Sequence, residues 1–310
     1  MSRLPVVVVG EALVDIVVPA EGEPTAAVGG SPLNVAVGLA RLDVPALLIT
    51  RVGDDEHGRW IADHVRESGA VLSGSSVVAG STTSTATAHL DEDQAARYEF
   101  ELVWDLDHHT LPEARALHIG SLGAALLPGR HAVEDLVRQA EDTDLFVSYD
   151  PNIRPAFVTD REATWHDVRE IAAHCRLVKL SDEDLTVLRP GEPVDDVARE
   201  LLAGGTTELV IVTRGGEGAS AYAPDFTVHE PAPQKGLVDT VGAGDSFMAA
   251  LLAILDGWDL LTDGPGALDA LDRDHVAILL RGAATAAAVT VSRRGANPPT
   301  RQELPPTWPL

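Results

Sequence analysis

The stretch DTVGAGDSF, residues 239–247, decides how this chain is interpreted, because it is a glycine loop that leads into an apolar helix. Gly242 and Gly244 permit backbone turns that other residues resist. Residues 245–255 (DSFMAALLAIL) have the composition of a buried helix, so the loop lies at a helix N-terminus. Unpaired amides and the helix dipole favour an anion there. Asp245 is the carboxylate placed against that anion site.

A carboxylate beside an anion site is what phosphoryl transfer to a hydroxyl requires. The carboxylate takes the hydroxyl proton, and the amides hold the charge that develops on the transferred phosphoryl oxygens. A plainer alternative is a turn in which Asp245 only caps the helix, and short glycine motifs often occur by chance. The four residues from Gly242 to Asp245 do not decide between these two interpretations.

The complete stretch resembles the C-terminal signature of the ribokinase-like sugar kinases, also called the phosphofructokinase B type. In that family the aspartate of GAGD is the catalytic base, and the backbone before it forms the anion hole. The resemblance therefore implies that Asp245 is the base. It assigns the anion hole to Gly242, Ala243 and Gly244.

The composition indicates one large α/β domain with room for a small accessory element, since the chain has 310 residues of which 45% are hydrophobic. A formal net charge of -25 argues against nucleic acid or an anionic membrane as a partner. Cys175 is the single cysteine, which excludes an intrachain disulfide and suits a reducing compartment. The N-terminus lacks a signal-peptide layout and no apolar run is long enough to span a bilayer, so we expect a cytoplasmic protein.

Two N-terminal segments carry residues that are expected to hold a substrate. Residues 4–10 (LPVVVVG) predict a strand buried on both faces, and Asp15 follows in an apolar frame. Asp15 is either exposed where the strand turns outward or a carboxylate that accepts hydrogen bonds from substrate hydroxyls. Gly29 and Gly30 then precede an apolar helix, with Asn34 one turn into it. These residues resemble the family's GG-x-x-x-N signature and the GE-x-x-x-D opening of its fructokinase-like members, both of which contact the sugar.

Strands and helices alternate further along the chain, which predicts βαβ units. Strand ends at 117–121 and 145–149 flank a helical span at 131–141. The segment DPNIR, residues 150–154, follows the second strand, at the edge where open α/β sheets bind ligands. Arg154 is either a surface residue of a proline-rich loop or a group that holds a phosphate or sugar oxygen. The D-P-N-x-R string is typical of fructokinase-like members.

Two later strands, predicted at 177–180 (LVKL) and 208–213 (ELVIVT), are each followed by a polar or glycine turn. Many family members have N-x-x-E after the first strand, where the glutamate acts in the magnesium and phosphate network. In this chain Ser181 and Asp184 stand in place of that asparagine and glutamate, and both are shorter but chemically related. This difference leaves open which carboxylate organises magnesium. The family's T-x-G-x-x-G segment follows the second strand. The resemblance assigns nucleotide contacts to Ser181, Thr213, Gly215 and Gly218, the magnesium network to Asp184, and a monovalent cation such as K+ to Asp239 and Val241.

Residues 81–103 differ from the rest, because two β-prone runs joined by a polar turn at 91–94 predict an antiparallel hairpin. The resemblance implies a small β-lid that closes over the sugar, formed by segments around 12–30 and 81–103. An uncovered edge of this lid could pair with a second copy to give a homodimer.

These expectations describe a single domain over residues 1–310, a doubly wound, mostly parallel sheet flanked by helices with a small β-lid. The resemblance implies an enzyme that uses ATP and Mg2+ to phosphorylate a sugar hydroxymethyl group. D-fructose is the first choice, and ribose, 2-keto-3-deoxygluconate and a nucleoside remain open. A non-catalytic sugar- or nucleotide-binding regulator is the alternative of another class, against which the retained GAGD turn argues. A Rossmann dehydrogenase would need G-x-G-x-x-G after the first strand, and residues 10–12 (GEA) do not supply it.

Overall fold

The computed structural model describes residues 3–91 and 96–309. In chain order its strands are β1 (Val6–Val9), β2 (Leu13–Val18), β3 (Thr25–Gly29), β4 (Ala46–Ile49), β5 (Val52–Gly53), β6 (Val71–Leu72), β7 (Val77–Val78), β8 (Thr85–Leu90), β9 (Ala96–Glu101), β10 (Ala116–Gly120), β11 (Phe146–Asp150), β12 (Leu177–Ser181), β13 (Leu209–Thr213), β14 (Ala219–Tyr222) and β15 (Thr227–Glu230). Its α-helices are α1 (Ser31–Arg41), α2 (Glu56–Glu67), α3 (Ser121–Ala125), α4 (Arg130–Glu141), α5 (Arg161–Ala172), α6 (Asp182–Leu188), α7 (Val194–Leu202), α8 (Ala243–Gly257) and α9 (Arg273–Val291).

The central sheet of the described residues has nine strands in the order β15-β14-β13-β12-β11-β10-β1-β4-β6. Strands β13 to β6 in that order run parallel, and β14 and β15 are antiparallel at one edge. The predicted doubly wound, mostly parallel sheet is therefore confirmed.

Both faces of this sheet are covered by helices, as the residues of β1 show. Val6 and Val8 pack into one core with α1, α8 and α9, whereas Val7 and Val9 pack into a second core with α4, α5 and α7. A parallel strand with both faces buried has no polar face, which explains the uninterrupted run of four valines.

A smaller four-stranded sheet stands apart from the central one, with strand order β3-β2-β8-β9. It consists of two antiparallel hairpins, β2–β3 and β8–β9, joined by the parallel pair β2–β8. The fold prediction included this small sheet, and its second hairpin is the one expected within residues 81–103. The turn predicted at 91–94 lies outside the described residues, except for its first residue.

Helix α9 corrects one expectation, because by length and apolar composition alone it could cross a membrane. The helix begins at Arg273 and has 19 residues. More than half of its most apolar window is buried inside the fold. Its neighbours are α8, β14 and β15, so α9 packs here as a core helix.

The connections place a crevice at one end of the central sheet. From β1 the chain builds β4 and β6 on one side, and it then crosses to the other side of β1 to build β10, β11, β12 and β13. In open α/β sheets ligands bind beyond the carboxyl ends of the strands, where the strand order reverses. The residues at these strand ends form the candidate site described next.

Candidate active site

Asp245 lies in the first turn of α8 and is buried, with 7% of its surface exposed. The hydroxyl of Ser31 donates to its Oδ1 at 2.6 Å, and Nδ2 of Asn34 donates to its Oδ2 at 2.8 Å. Both donors belong to α1, so the structure brings the two predicted signatures, more than 200 residues apart in the chain, into direct contact.

The loop before Asp245 has the left-handed conformation that glycine permits. Gly242 is the N-cap of α8, with φ 74° and ψ 6°. The helix begins at Ala243, two residues earlier than predicted, and its N-cap makes no side-chain hydrogen bond. The carboxylate of Asp245 accepts from Ser31 and Asn34 of α1, and no hydrogen bond joins it to an amide at the start of α8 in the described structure. In the described residues the amides of Gly242 and Gly244 form no hydrogen bond, whereas the amide of Ala243 donates to the carbonyl of Thr240 at 3.2 Å.

Asp15, Gly29 and Gly30 lie together where the small sheet meets α1. A Cβ built on Gly29 would lie 2.1 Å from Oδ2 of Asp15, so a larger residue there would displace that carboxylate. Gly30 is the N-cap of α1 with φ 110°, and a Cβ there would lie 2.5 Å from the carbonyl oxygen of Glu11. The fold itself therefore requires Gly30, whereas the glycine at 29 gives the Asp15 carboxylate its space.

The carboxylate of Asp15 is exposed, yet the protein around it shifts its titration. Partial desolvation raises the pKa of Asp15 from 3.8 to about 6, against the lowering effect of Arg154. Arg154 is itself exposed, and its guanidinium donates to Oδ1 of Asn152 at 2.8 Å. The predicted sugar-binding residues therefore include a carboxyl group and a guanidinium cation whose charges influence each other.

The predicted nucleotide-side residues lie on adjacent strands. Ser181 and Thr213 are register partners at the carboxyl ends of β12 and β13. Gly215 follows with φ 46°, and a Cβ built on it would meet nothing within 4 Å. Gly218 differs, because its Cβ would lie 2.1 Å from the carbonyl oxygen of Glu230. The fold itself therefore requires Gly218, while Gly215 leaves an open backbone surface.

Asp184 connects the sugar side to the nucleotide side through its carboxylate. Its Oδ1 accepts from the amide of Ile153 and its Oδ2 from the amide of Ser181, both at 2.7 Å. Because Ser181 Oγ also accepts from the amide of Asp184, the two residues form a capping box for α6. The neighbouring carboxylate of Glu183 is exposed on the same helix.

Nearly the whole chain matches known proteins. Residues 4–303 match the model of the pfkB family carbohydrate kinase. The chain belongs to the pfkB family of carbohydrate kinases. This carbohydrate kinase is 31% identical to fructokinase-1 of Oryza sativa subsp. japonica, over 96% of each protein. It is 33% identical to the fructokinase of Rhizobium leguminosarum bv. trifolii, over 82% of this chain and 80% of that protein. The crystal structure of fructokinase from Xylella fastidiosa has the same fold, with a TM-score of 0.82, 24% identity and 96% coverage of both chains.

The cation-binding residues predicted for this kinase have their oxygens engaged by the backbone. Oδ1 of Asp239 accepts from the amide of Val241 at 3.0 Å, and its Oδ2 accepts from the amide of Gly295 at 2.8 Å. These bonds lower the pKa of Asp239. Within residues 3–91 and 96–309, no group of three or more His, Cys, Asp or Glu side chains is placed to hold a metal ion. The magnesium role of Asp184 and the monovalent-cation role of Asp239 and Val241 stay predictions.

Four polar residues of the site were not assigned from the sequence. Ser31 touches the base, as described above. Glu11, directly after β1, is buried and accepts from the amide of Gly123 at 2.8 Å. Burial raises the pKa of Glu11 to about 7, against lowering effects from hydrogen bonds and Arg154. Asp150, at the end of β11, forms a buried ion pair of 2.8 Å with Lys179, in the middle of β12. The position of each at or near a strand or helix end was the available signal.

Proposed function

We propose that this carbohydrate kinase transfers the γ-phosphoryl group of ATP to a hydroxymethyl group of D-fructose, with Asp245 as the base. The observation that carries the proposal is the contact between Asp245 and Asn34, because it joins the candidate base to the candidate sugar-binding residue. Fructokinase relatives at 31% and 33% identity favour fructose among the sugars considered.

The residues of this chain divide the reaction into binding, proton transfer and charge stabilisation. Asp15, Asn34 and Arg154, with the backbone of Gly29 and Gly30, orient the sugar hydroxyls. Asp245 then takes the proton of the attacking hydroxyl, which a buried and doubly hydrogen-bonded carboxylate can do only when that hydroxyl is held against it. The free amides of Gly242 and Gly244, with that of Ala243, stabilise negative charge on the transferred group.

The nucleotide side fits a phosphate chain at the ends of β12 and β13. The open backbone at Gly215 lets phosphate oxygens approach closely, and Ser181 and Thr213 offer hydroxyls on neighbouring strands. Magnesium, when bound with ATP, neutralises the phosphate charge. Since Mg2+ in kinases is held largely by substrate phosphates and water, the lack of a three-residue ligand cluster in the described residues is compatible with this role.

A sugar panel tests the proposal. Formation of ADP is measured with D-fructose, ribose, 2-keto-3-deoxygluconate and a nucleoside, each with and without Mg2+ and K+. We expect the highest kcat/KM with fructose and no turnover without Mg2+. A higher value with another acceptor would replace fructose, and binding of sugar and ATP with no ADP formed from any acceptor would favour the regulator instead.

The variant Asp245→Asn is the control in the same panel, because asparagine keeps the shape of the side chain and removes the base. We expect kcat to fall about a hundredfold or more, the scale of general-base catalysis. A folded Asp245→Asn variant with near wild-type kcat would contradict the assigned base. A cytoplasmic location, the absence of nucleic-acid and membrane partners, and pairing of two copies through the exposed edges of β3 or β9 stay predictions.

A further inference from the structure

Lys179 is an unusual residue in this chain, because all but two of its 23 lysine and arginine residues are arginine. The other lysine, Lys235, is exposed, whereas Lys179 lies in the middle of β12 with 3% of its surface exposed. Removing an ammonium group from water costs several kcal/mol unless neighbouring groups compensate for it. The neighbours of Lys179 should therefore explain why a cation is buried here.

Those neighbours lie on both sides of the ammonium group. On one side, Nζ donates to Oδ2 of Asp150 at 2.8 Å. On the other side, a Cβ built on Gly244 would lie 3.1 Å from the same nitrogen. The ammonium group is thus packed against the first turn of α8, beneath the amides assigned to the anion hole. A glycine at position 244 leaves the space that this approach requires.

The charges around Lys179 are mostly negative. Burial alone lowers the pKa of Lys179, but the carboxylates of Asp150, Asp184 and Asp245 together raise it above its usual value. Asp150 is fully buried as well, and its Oδ1 has no hydrogen-bond partner in the described structure. Burial raises the pKa of Asp150 to about 6, against the lowering effect of Lys179. The cation therefore balances several carboxylates that lie close together in a medium of low dielectric constant.

We propose that Lys179, paired with Asp150 and packed against Gly244, is a positioning residue that keeps Asp245 in its carboxylate form and adds positive charge beneath the anion hole. The proposal rests on the role of Asp245 as base. A nearby cation makes protonation of a carboxylate less favourable, and an ammonium group is a more compact cation than a planar guanidinium. This accounts for a lysine at this position in an arginine-rich chain.

The acid limb of the pH profile of kcat tests the proposal. Measured at saturating sugar, kcat does not reflect the titration of Asp15 in sugar binding. We expect Lys179→Met to move the acid limb about one pH unit upward. We expect Asp150→Asn to move it in the opposite direction, because this change removes a negative charge and leaves the cation. Four titratable groups surround the proposed base and the ammonium group: Asp150 on β11, Lys179 on β12, Asp184 on α6 and Asp245 itself on α8. Four further groups lie around them: His118 on β10, and Glu11, Asp15 and Arg154 on the predicted sugar side.

A matched control is available at the other end of the same strand. Arg176 precedes β12 and forms an equally buried ion pair with Glu208, with Nε 2.5 Å from Oε1. Arg176→Met should lower Tm about as much as Lys179→Met without moving the acid limb. His118 does not produce the limb, because burial and then Lys179 lower its pKa to about 3.

Opposite shifts in the two variants support the proposal, whereas unmoved acid limbs, or shifts in the same direction, overturn it. If Lys179→Met fails to fold, the direction of the shift in Asp150→Asn decides alone. A carbon-13 NMR titration of the Asp245 carboxyl, identified by its loss in Asp245→Asn, measures the same shift without turnover. If kcat shows that Asp245 is not the base, the proposed function fails. The NMR titration still shows whether Lys179 and Asp150 change the protonation of Asp245, so failure of this inference is seen separately.

Discussion

Oγ of Ser31 lies 2.6 Å from Oδ1 of Asp245, so the first helix of the chain holds the carboxylate at the start of the eighth. Together with Asn34, this hydroxyl fixes both oxygens of the carboxylate before any substrate hydroxyl is in place. Hydrogen bonds to an ionised group are about twice as strong as neutral ones. The orientation of the proposed base therefore depends on a residue to which the proposal gives no part in proton transfer.

Replacing Ser31 by alanine should lower kcat about three- to tenfold, because Asp245 loses one of the two donors that orient it. The KM for ATP should stay unchanged. Steady-state kinetics with both substrates varied measure the effect. Ser246→Ala is the control, since it removes a buried hydroxyl in the same helical turn that accepts from Thr290 at 2.8 Å without touching the carboxylate. Equal losses in the two variants would mean that Ser31 has no specific role.

Asp15 should make sugar binding depend on pH near 6. Its pKa is raised to about 6, so the carboxylate is present above that pH and is lost as the pH falls through it. If the ionised form binds the sugar, KM for the sugar should rise about tenfold between pH 7 and pH 5. In Asp15→Asn we expect a KM that is high throughout and independent of pH in this range. A wild-type KM that is constant from pH 7 to pH 5 would remove Asp15 from the sugar site.

Glu11 should make the protein less stable as the pH rises. The folded state binds its proton more tightly than the unfolded state, since the pKa is raised from 4.5 to about 7. Stability is therefore lost between these two values and stays low above pH 7. The free energy of unfolding of Glu11→Gln minus that of wild type should be about 1–3 kcal/mol larger at pH 8 than at pH 4.5. Urea unfolding at both pH values measures this, with the exposed Glu183→Gln as control.

Gly242→Ala should reduce both stability and activity. The position has φ 74°, and an added Cβ would lie 2.6 Å from Cβ and 2.7 Å from Cα of Ala296. We expect a loss of about 1–3 kcal/mol in the free energy of unfolding and at least a tenfold lower kcat, because the amide at 242 would move. Gly257→Ala, at the other end of α8 with nothing within 4 Å, should change neither. A fully active Gly242→Ala variant would argue against an anion hole in this loop.

Local patterns predicted those parts of the molecule that depend on local physics. The valines of β1 and the apolar runs of the later strands indicated a sheet with both faces buried, and the glycine pairs at 29–30 and 242–244 indicated helix starts. The start of α8 was placed two residues late because Gly244, a poor helix former, was taken as part of the loop. Here the space needed by Lys179 explains the glycine better than chain flexibility does.

Contacts between distant residues could not be predicted in the same way. Ser31 and Asp245 are 214 positions apart, and nothing near either one identifies its partner. Lys179 occurs within an apolar strand, LVKLS, where its charge suggests a cost but not the carboxylate that offsets it.

One oxygen of Asp184 accepts from the amide of Ile153, next to Arg154, and the other accepts from the amide of Ser181. The segments predicted to bind the two substrates are therefore linked through a single carboxylate. If binding of the acceptor displaces the first segment, we expect the second to respond, because both amides bind the same carboxylate. The enzyme built in this way has a direct route for synergy, in which occupancy by one substrate changes the affinity for the other.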